Sequence, residues 1–113
     1  MHEMSLCENI LQVLEQQAPL QHYQRVKTVW LEIGRLSGVE PDAIRFAFDI
    51  VVQGSIAENA RLEIIDAPGE AHCLRCLQTV RLQQRHDVCP YCGSHKLDIK
   101  NGEQMRIKEL EVE

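Results

Sequence analysis

Apolar residues Leu6, Cys7, Ile10, Leu11, Val13, Leu14 and Ala18 recur at helical spacing, with Gln12, Glu15, Gln16 and Gln17 between them. That is an amphipathic helix with a broad stripe to bury. Ser5 followed by Glu8 fits a capping box, so the helix is expected to start there and leave an exposed amino terminus. Pro19, which has no N–H to donate, is expected to end it. The period then changes to two. In Val26-Lys27-Thr28-Val29-Trp30-Leu31-Glu32-Ile33, Val29, Leu31 and Ile33 share one face of a strand and Thr28, Trp30 and Glu32 the other. A second helix is expected over about Pro41 to Val52, since proline suits a first helical turn. Its core face is Ile44, Ala47, Phe48 and Val51, widened by Phe46 and Ile50. A strand through Phe46, Phe48, Ile50 and Val52 competes, but Asp42-Ala43-Ile44-Arg45 and the length of the run favour the helix.

Gly54-Ser55 opens a turn, residues 61–66 form a strand, and Pro68-Gly69 is expected to end it. A cysteine-bearing segment follows, from about His72 to His95. Leu97-Asp98-Ile99-Lys100 then leads into Asn101-Gly102, a two-residue hairpin signal. Met105 and Ile107 alternate with polar neighbours; Leu110 and Val112 do so in the opposite phase, which a bulge near Lys108-Glu109 would reconcile. No single piece buries its face alone, so an α+β arrangement follows, with two helices on one side of a small sheet. The last strand either returns to that sheet, making the cysteine module an insertion, or forms a private sheet with the module.

Composition narrows the class. The 113 residues are 44% hydrophobic with a formal net charge of -5, which suits one small folded domain, or one carrying a small appendage. No apolar run approaches the ~18–20 residues that span a bilayer. The start of the chain lacks the basic and apolar regions of a signal peptide, so the cytoplasm is the expected compartment and a membrane role is disfavoured. Residues 73–96 carry Arg75, Arg81, Arg85 and Lys96 against Asp87 alone. Four thiolates around one divalent ion would offset most of that excess, so the segment barely offers the clear basic face of a nucleic-acid reader, and the chain as a whole is acidic.

Of five cysteines, four form two pairs, Cys73-x-x-Cys76 and Cys89-x-x-Cys92, with twelve residues between them. Each pair bends the backbone so that two sulfurs reach one ion. Together they make a closed tetrahedral site, suited to structural Zn²⁺. Gly93 supplies backbone freedom just after the second pair. A redox dithiol would leave the matched second pair a coincidence. His72, His86 and His95 lie near the pairs and read as surface histidines, with exchange for a cysteine ligand as the alternative. Cys7, on the apolar stripe, reads as a buried thiol, a ligand or disulfide role being the alternative. Trp30 covers either a helix or a partner.

Met1-His2-Glu3 offers a terminal amine, backbone nitrogens and an imidazole within one short chelate, with the Glu3 carboxylate beside them. Histidine is too bulky for removal of the initiator Met, so Met1 is expected to stay. Nitrogen-rich planar sites suit Ni²⁺ or Cu²⁺. The competing reading is a disordered end with an incidental histidine. No nucleophile–base set, phosphate loop or cofactor fingerprint appears, so no catalytic residue is named and an enzyme is the weakest reading. A zinc-ribbon nucleic-acid module and a purely structural adaptor rank between.

Taken together, Met1-His2-Glu3-Met4-Ser5-Leu6-Cys7, Val29-Trp30-Leu31-Glu32-Ile33-Gly34, Leu36-Ser37-Gly38-Val39-Glu40-Pro41, Phe48-Asp49-Ile50-Val51 and the two cysteine pairs resemble the HypA/HybF family of nickel accessory proteins. The resemblance covers essentially the whole chain. It implies two helices on a three-stranded sheet, with a zinc-ribbon-like module inserted before the C-terminal strand. The domains would be 1–68 plus 97–113, holding nickel, and 69–96, holding zinc. It implies nickel on His2, with Met1 and Glu3 contributing, and zinc on Cys73, Cys76, Cys89 and Cys92. It further implies a nickel metallochaperone that acts with the GTPase HypB and docks on the [NiFe]-hydrogenase large-subunit precursor. A homodimer and urease maturation factors stand beside these as partners to test. Zinc beside the nickel site is expected to respond to pH or to metal loading through the thiolates and the nearby histidines.

Overall fold

The structure, a computed structural model, describes residues 2–113. Its first helix, α1, spans Glu3–Gln21 and overruns both of its sequence signals. His2, not Ser5, is the N-cap, and its carbonyl accepts the first helical bond from the Leu6 N–H at 2.9 Å. No side-chain cap is made, so the Ser5–Glu8 box goes unused. Pro19 lies inside the helix. So near the end, a proline removes one hydrogen bond without stopping the chain. The buried Tyr23 hydroxyl donates to the Leu14 carbonyl one turn before the proline, and a left-handed His22 closes the helix.

Cys7, Ile10 and Leu14 form the buried stripe of α1. Helix α2, Pro41–Val51, buries Ile44, Ala47 and Phe48. Phe46 and Ile50 do not widen that face: they are 72% and 42% exposed. The two helices pack together, and the Cys7 thiol points at the Ile44 carbonyl, 3.6 Å away. Strand β1, Val26–Gly34, buries Val29, Leu31 and Ile33 as the alternation requires. Thr28 is buried as well, because its hydroxyl finds an acceptor in Glu111 at 2.7 Å. Trp30 is half-buried.

Five further strands follow: β2 Arg61–Ala67, β3 Gly69–Cys73, β4 Thr79–Leu82, β5 Leu97–Asn101 and β6 Met105–Val112. They make two three-stranded sheets, in the order β2-β1-β6 and β4-β3-β5. The fold is therefore two helices with a three-stranded sheet and an inserted four-cysteine module. The stretch after the module does both things left open by its sequence: β5 forms a private sheet with the module, and β6 rejoins β1. Pro68 alone separates β2 from β3, so Pro68-Gly69 is not a terminus followed by a loop.

Asn101-Gly102 is not a hairpin either, since β5 and β6 belong to different sheets. Gly102 has φ +96, and a Cβ there would stand 2.7 Å from Gly69 Cα and from the Pro68 carbonyl oxygen. Its freedom serves a close crossing of backbones. The same crossing takes hydrogen bonds from the Gly34 N–H to the Gln104 carbonyl and from the Leu36 N–H to the Gly102 carbonyl, each 2.8 Å. A Cβ on Gly34 would lie 2.1 Å from the Gly102 oxygen.

The chain divides into two compact units: the stretch ending at Leu31 with Val39–Ile64 and Ile107–Glu113, and Glu32–Gly38 with Ile65–Arg106. The second is larger than 69–96, because β5 pairs with β3 and Leu36 joins the apolar cluster beneath the cysteines. Neither helix is long and apolar enough to cross a membrane.

Candidate metal centre

The antiparallel β3–β4 hairpin carries the first cysteine pair in its turn. Cys73 ends β3, its N–H donating to the Gln78 carbonyl and its carbonyl accepting from the Leu77 N–H, each at 2.9 Å. The second pair repeats the pattern: the Cys89 N–H donates to the Ser94 carbonyl at 2.9 Å, and its carbonyl accepts from the Gly93 N–H at 2.8 Å. Leu77 and Gly93 thus hold equivalent places, four residues after the first cysteine of each pair. Both are left-handed, with φ of 61° and 74°. Glycine adopts that conformation freely and leucine under strain. Gly93 was legible as such a position; Leu77 was legible only through its matching offset.

The four sulfurs converge. Cys73 Sγ lies 3.6 Å from Cys92 Sγ and Cys76 Sγ 3.7 Å from Cys89 Sγ, all four falling within 4.8 Å of one another. A disulfide needs about 2.0 Å. A tetrahedron of sulfurs ~2.3 Å from a central zinc has edges of about 3.8 Å, so the donor set fits that ion. Among the described residues this is the one such convergence of potential ligands, and it includes no histidine. His86 and His95 are exposed and His72 is half-buried opposite Asp98 on β5.

The cluster sits in apolar surroundings. Cys73 and Cys89 are buried with Leu36, Ala71, Val80 and Leu82, while Cys76, Cys92, Leu97 and Ile99 pack against them. The thiols differ in acidity. The Cys76 N–H, 3.4 Å from Cys73 Sγ, helps hold Cys73 down at about 6. Burial pushes Cys76 up to about 12. Burial also acts upward on Cys89, but hydrogen bonds from the Cys92 and Tyr91 N–H groups and from neighbouring thiols lower it on balance. Backbone N–H groups aimed at sulfur are what a thiolate cluster requires. Cys7 stands apart from this cluster. It is fully buried, and burial with the nearby Glu3 charge raises it to about 11, which leaves a neutral thiol of the core.

At the amino end, Met1 and the terminal amine lie outside the described residues. His2 is exposed and Glu3 half-buried. Together with Met4, Ser5, Ala43, Phe46 and Ala47 they line a shallow groove of about 340 Å³. Because Leu6 is the first residue whose N–H enters the helical ladder, the nitrogens of His2 and Glu3 have no helical partner. His2 and Glu3 are legible here from the sequence; the Phe46 wall of the groove is not. Its only sequence trace is that Phe46 falls outside the Ile44-Ala47-Phe48 stripe.

Residues 1–112 match the family described as HypA, hydrogenase/urease nickel incorporation, metallochaperone. The chain is 55% identical to the hydrogenase maturation factor HypA of Azotobacter chroococcum mcd 1 and 52% identical to that of Azotobacter vinelandii, covering all of each chain. It also resembles the solution structure of the Ni metallochaperone HypA from Helicobacter pylori. The TM-score there is 0.72 at 26% identity, over 99% of this chain and 97% of that one. With its two-helix fold and converging cysteines, the chain belongs to the HypA family of nickel-incorporation metallochaperones for hydrogenase maturation, whose members are carriers and not enzymes.

Proposed function

We propose that this chain binds Ni(II) at its amino terminus and delivers it to the [NiFe]-hydrogenase large-subunit precursor, working with the GTPase HypB in the cytoplasm. The observation that carries this reading is the setting of His2. It stands exposed as the N-cap of α1, where neither its own nitrogen nor that of Glu3 is taken up by the helix. The imidazole, those two nitrogens and the Met1 amine make a four-nitrogen set of the kind a planar Ni(II) centre takes, with the Glu3 carboxylate adjacent. Exposed ligands, few in number, let an acceptor displace them one at a time, so the ion leaves by exchange within a docked complex. No bond of a substrate is made or broken.

In this reading Cys73, Cys76, Cys89 and Cys92 hold Zn²⁺, which when bound there cross-links the β3–β4 turn to the second cysteine pair. All four positions are filled by protein, so its part is structural. His2→Ala should abolish tight nickel binding while zinc content stays at one per chain. Cys76→Ala should do the reverse, losing zinc while His2 still binds nickel. Calorimetry for nickel and elemental analysis for zinc separate the two. Nickel affinity that survives His2→Ala would overturn the assignment.

A further inference from the structure

The groove beside His2 has a wall of unusual character. Phe46 is 72% exposed, although α2 had a buried stripe that could have taken an aromatic ring, and Ile50 one turn on is 42% exposed. Met4, across the groove on α1, is 43% exposed. The charges nearest this apolar strip are mostly acidic. Asp42 lies one turn before Phe46 and Asp49 one turn after it, both exposed, while Glu8 lies one turn after Met4 and Glu3 lines the groove. Arg45, the one cation of this helix, donates to the Leu62 carbonyl at 2.6 Å and shares a neighbouring hollow with Asp49 and Arg61.

A ring so exposed, framed by four carboxylates, suits an occupant with an apolar centre and a cationic rim. It disfavours the alternatives on charge alone. A second copy meeting this strip with its own would bring carboxylate against carboxylate, and nucleic acid or an anionic membrane would be repelled. We propose that this strip is the docking surface for the protein that accepts the nickel. Phe46 is its anchor, and a basic segment of the acceptor lies along Asp42, Asp49 and Glu8. The inference rests on the reading that nickel is held at His2, because docking here brings the acceptor's ligands to the exposed imidazole.

The test measures association of the nickel-free chain with the immature hydrogenase large subunit, and nickel affinity of the chain alone, in separate experiments. Phe46 is a surface residue, so Phe46→Ser should keep the far-ultraviolet spectrum of the parent. It should weaken association by about tenfold or more, as loss of a central aromatic anchor does, and leave nickel affinity unchanged. The double change Asp42→Lys with Asp49→Lys should also weaken association, with a difference from the parent that shrinks as salt is raised. Unchanged association in Phe46→Ser would overturn the proposal. So would an equal fall in nickel affinity, which would make Phe46 a cover for the chelate. Absence of nickel binding with normal docking would instead overturn the assignment of His2 and leave the docking surface standing.

Discussion

Cys7 shows how far a single residue's chemistry depends on its surroundings. Its thiol is chemically the same group as the four that converge near β3, yet it is fully buried against α2 and raised to about 11. In the cluster, Cys73 instead receives the Cys76 N–H, which favours its charged form, while burial raises Cys76. The sign of the resulting pH dependence is definite. A thiol raised in the folded state stabilises the fold fully below its unfolded value near 8.5–9, and that contribution is lost as pH rises through about 11. The stability difference between the parent and Cys7→Ala should therefore narrow between about pH 9 and 11. Denaturant titrations across that range check it; a constant difference would contradict it. At this scale the sequence was a sound guide. The apolar stripe placed Cys7 inside, and the spacing of the other four cysteines placed them on one centre. Phe46 departs from the core face its spacing predicts, because the exposure of one helix face depends on what packs there, which local spacing does not encode.

At the scale of elements, the strong periodic patterns survive and the punctuation does not. Val29, Leu31 and Ile33 are buried on β1, and Ile44, Ala47 and Phe48 on α2, because burial selects the period directly. Pro19, Pro68-Gly69 and Asn101-Gly102 carry the local signature of a stop or a turn, and each plays a different part. Proline and glycine state what a backbone can do locally; tertiary context decides which of those uses is made. At Gly102 the use is close approach. Gly102→Ala would press a methyl onto Gly69 and the Pro68 carbonyl at a positive φ. Overpacking and backbone strain together should cost about 2–4 kcal/mol. Thermal or denaturant unfolding would show it, and a loss below ~0.5 kcal/mol, the ordinary range for surface changes, would refute the crossing as a tight constraint.

At the scale of the molecule, the two compact units rest on different materials. One has an apolar core of ordinary side chains, with Cys7, Ile10, Leu14, Val29, Leu31, Ile44 and Phe48 buried. The other has a small cluster in which Cys73 and Cys89 are themselves core residues. Removing a metal from the four sulfurs should therefore act on one unit. After chelation, amide protection should fall at Ala71, Val80, Leu82 and Ile99 and persist in α1 and α2. Hydrogen exchange read by mass spectrometry resolves the two, and uniform loss throughout the chain would contradict this expectation. The two-helix, three-strand plan and the inserted module were legible from the sequence with the family resemblance. The division of residues 97–113 between two sheets was not, because strand partners are chosen by pairing across the chain.

The central claim is that the amino end itself is the nickel ligand set. Calorimetric Ni²⁺ titration of zinc-loaded protein with a free native Met1, beside a copy extended by two residues at that end, tests it most directly. The extension keeps His2, Glu3 and every contact of the groove but displaces the terminal amine from the chelate. One strong site in the native chain, lost or greatly weakened in the extended one, is the predicted result. Equal nickel binding by both proteins would contradict the account and move the site elsewhere, with the exposed His86 and His95 the next residues to replace.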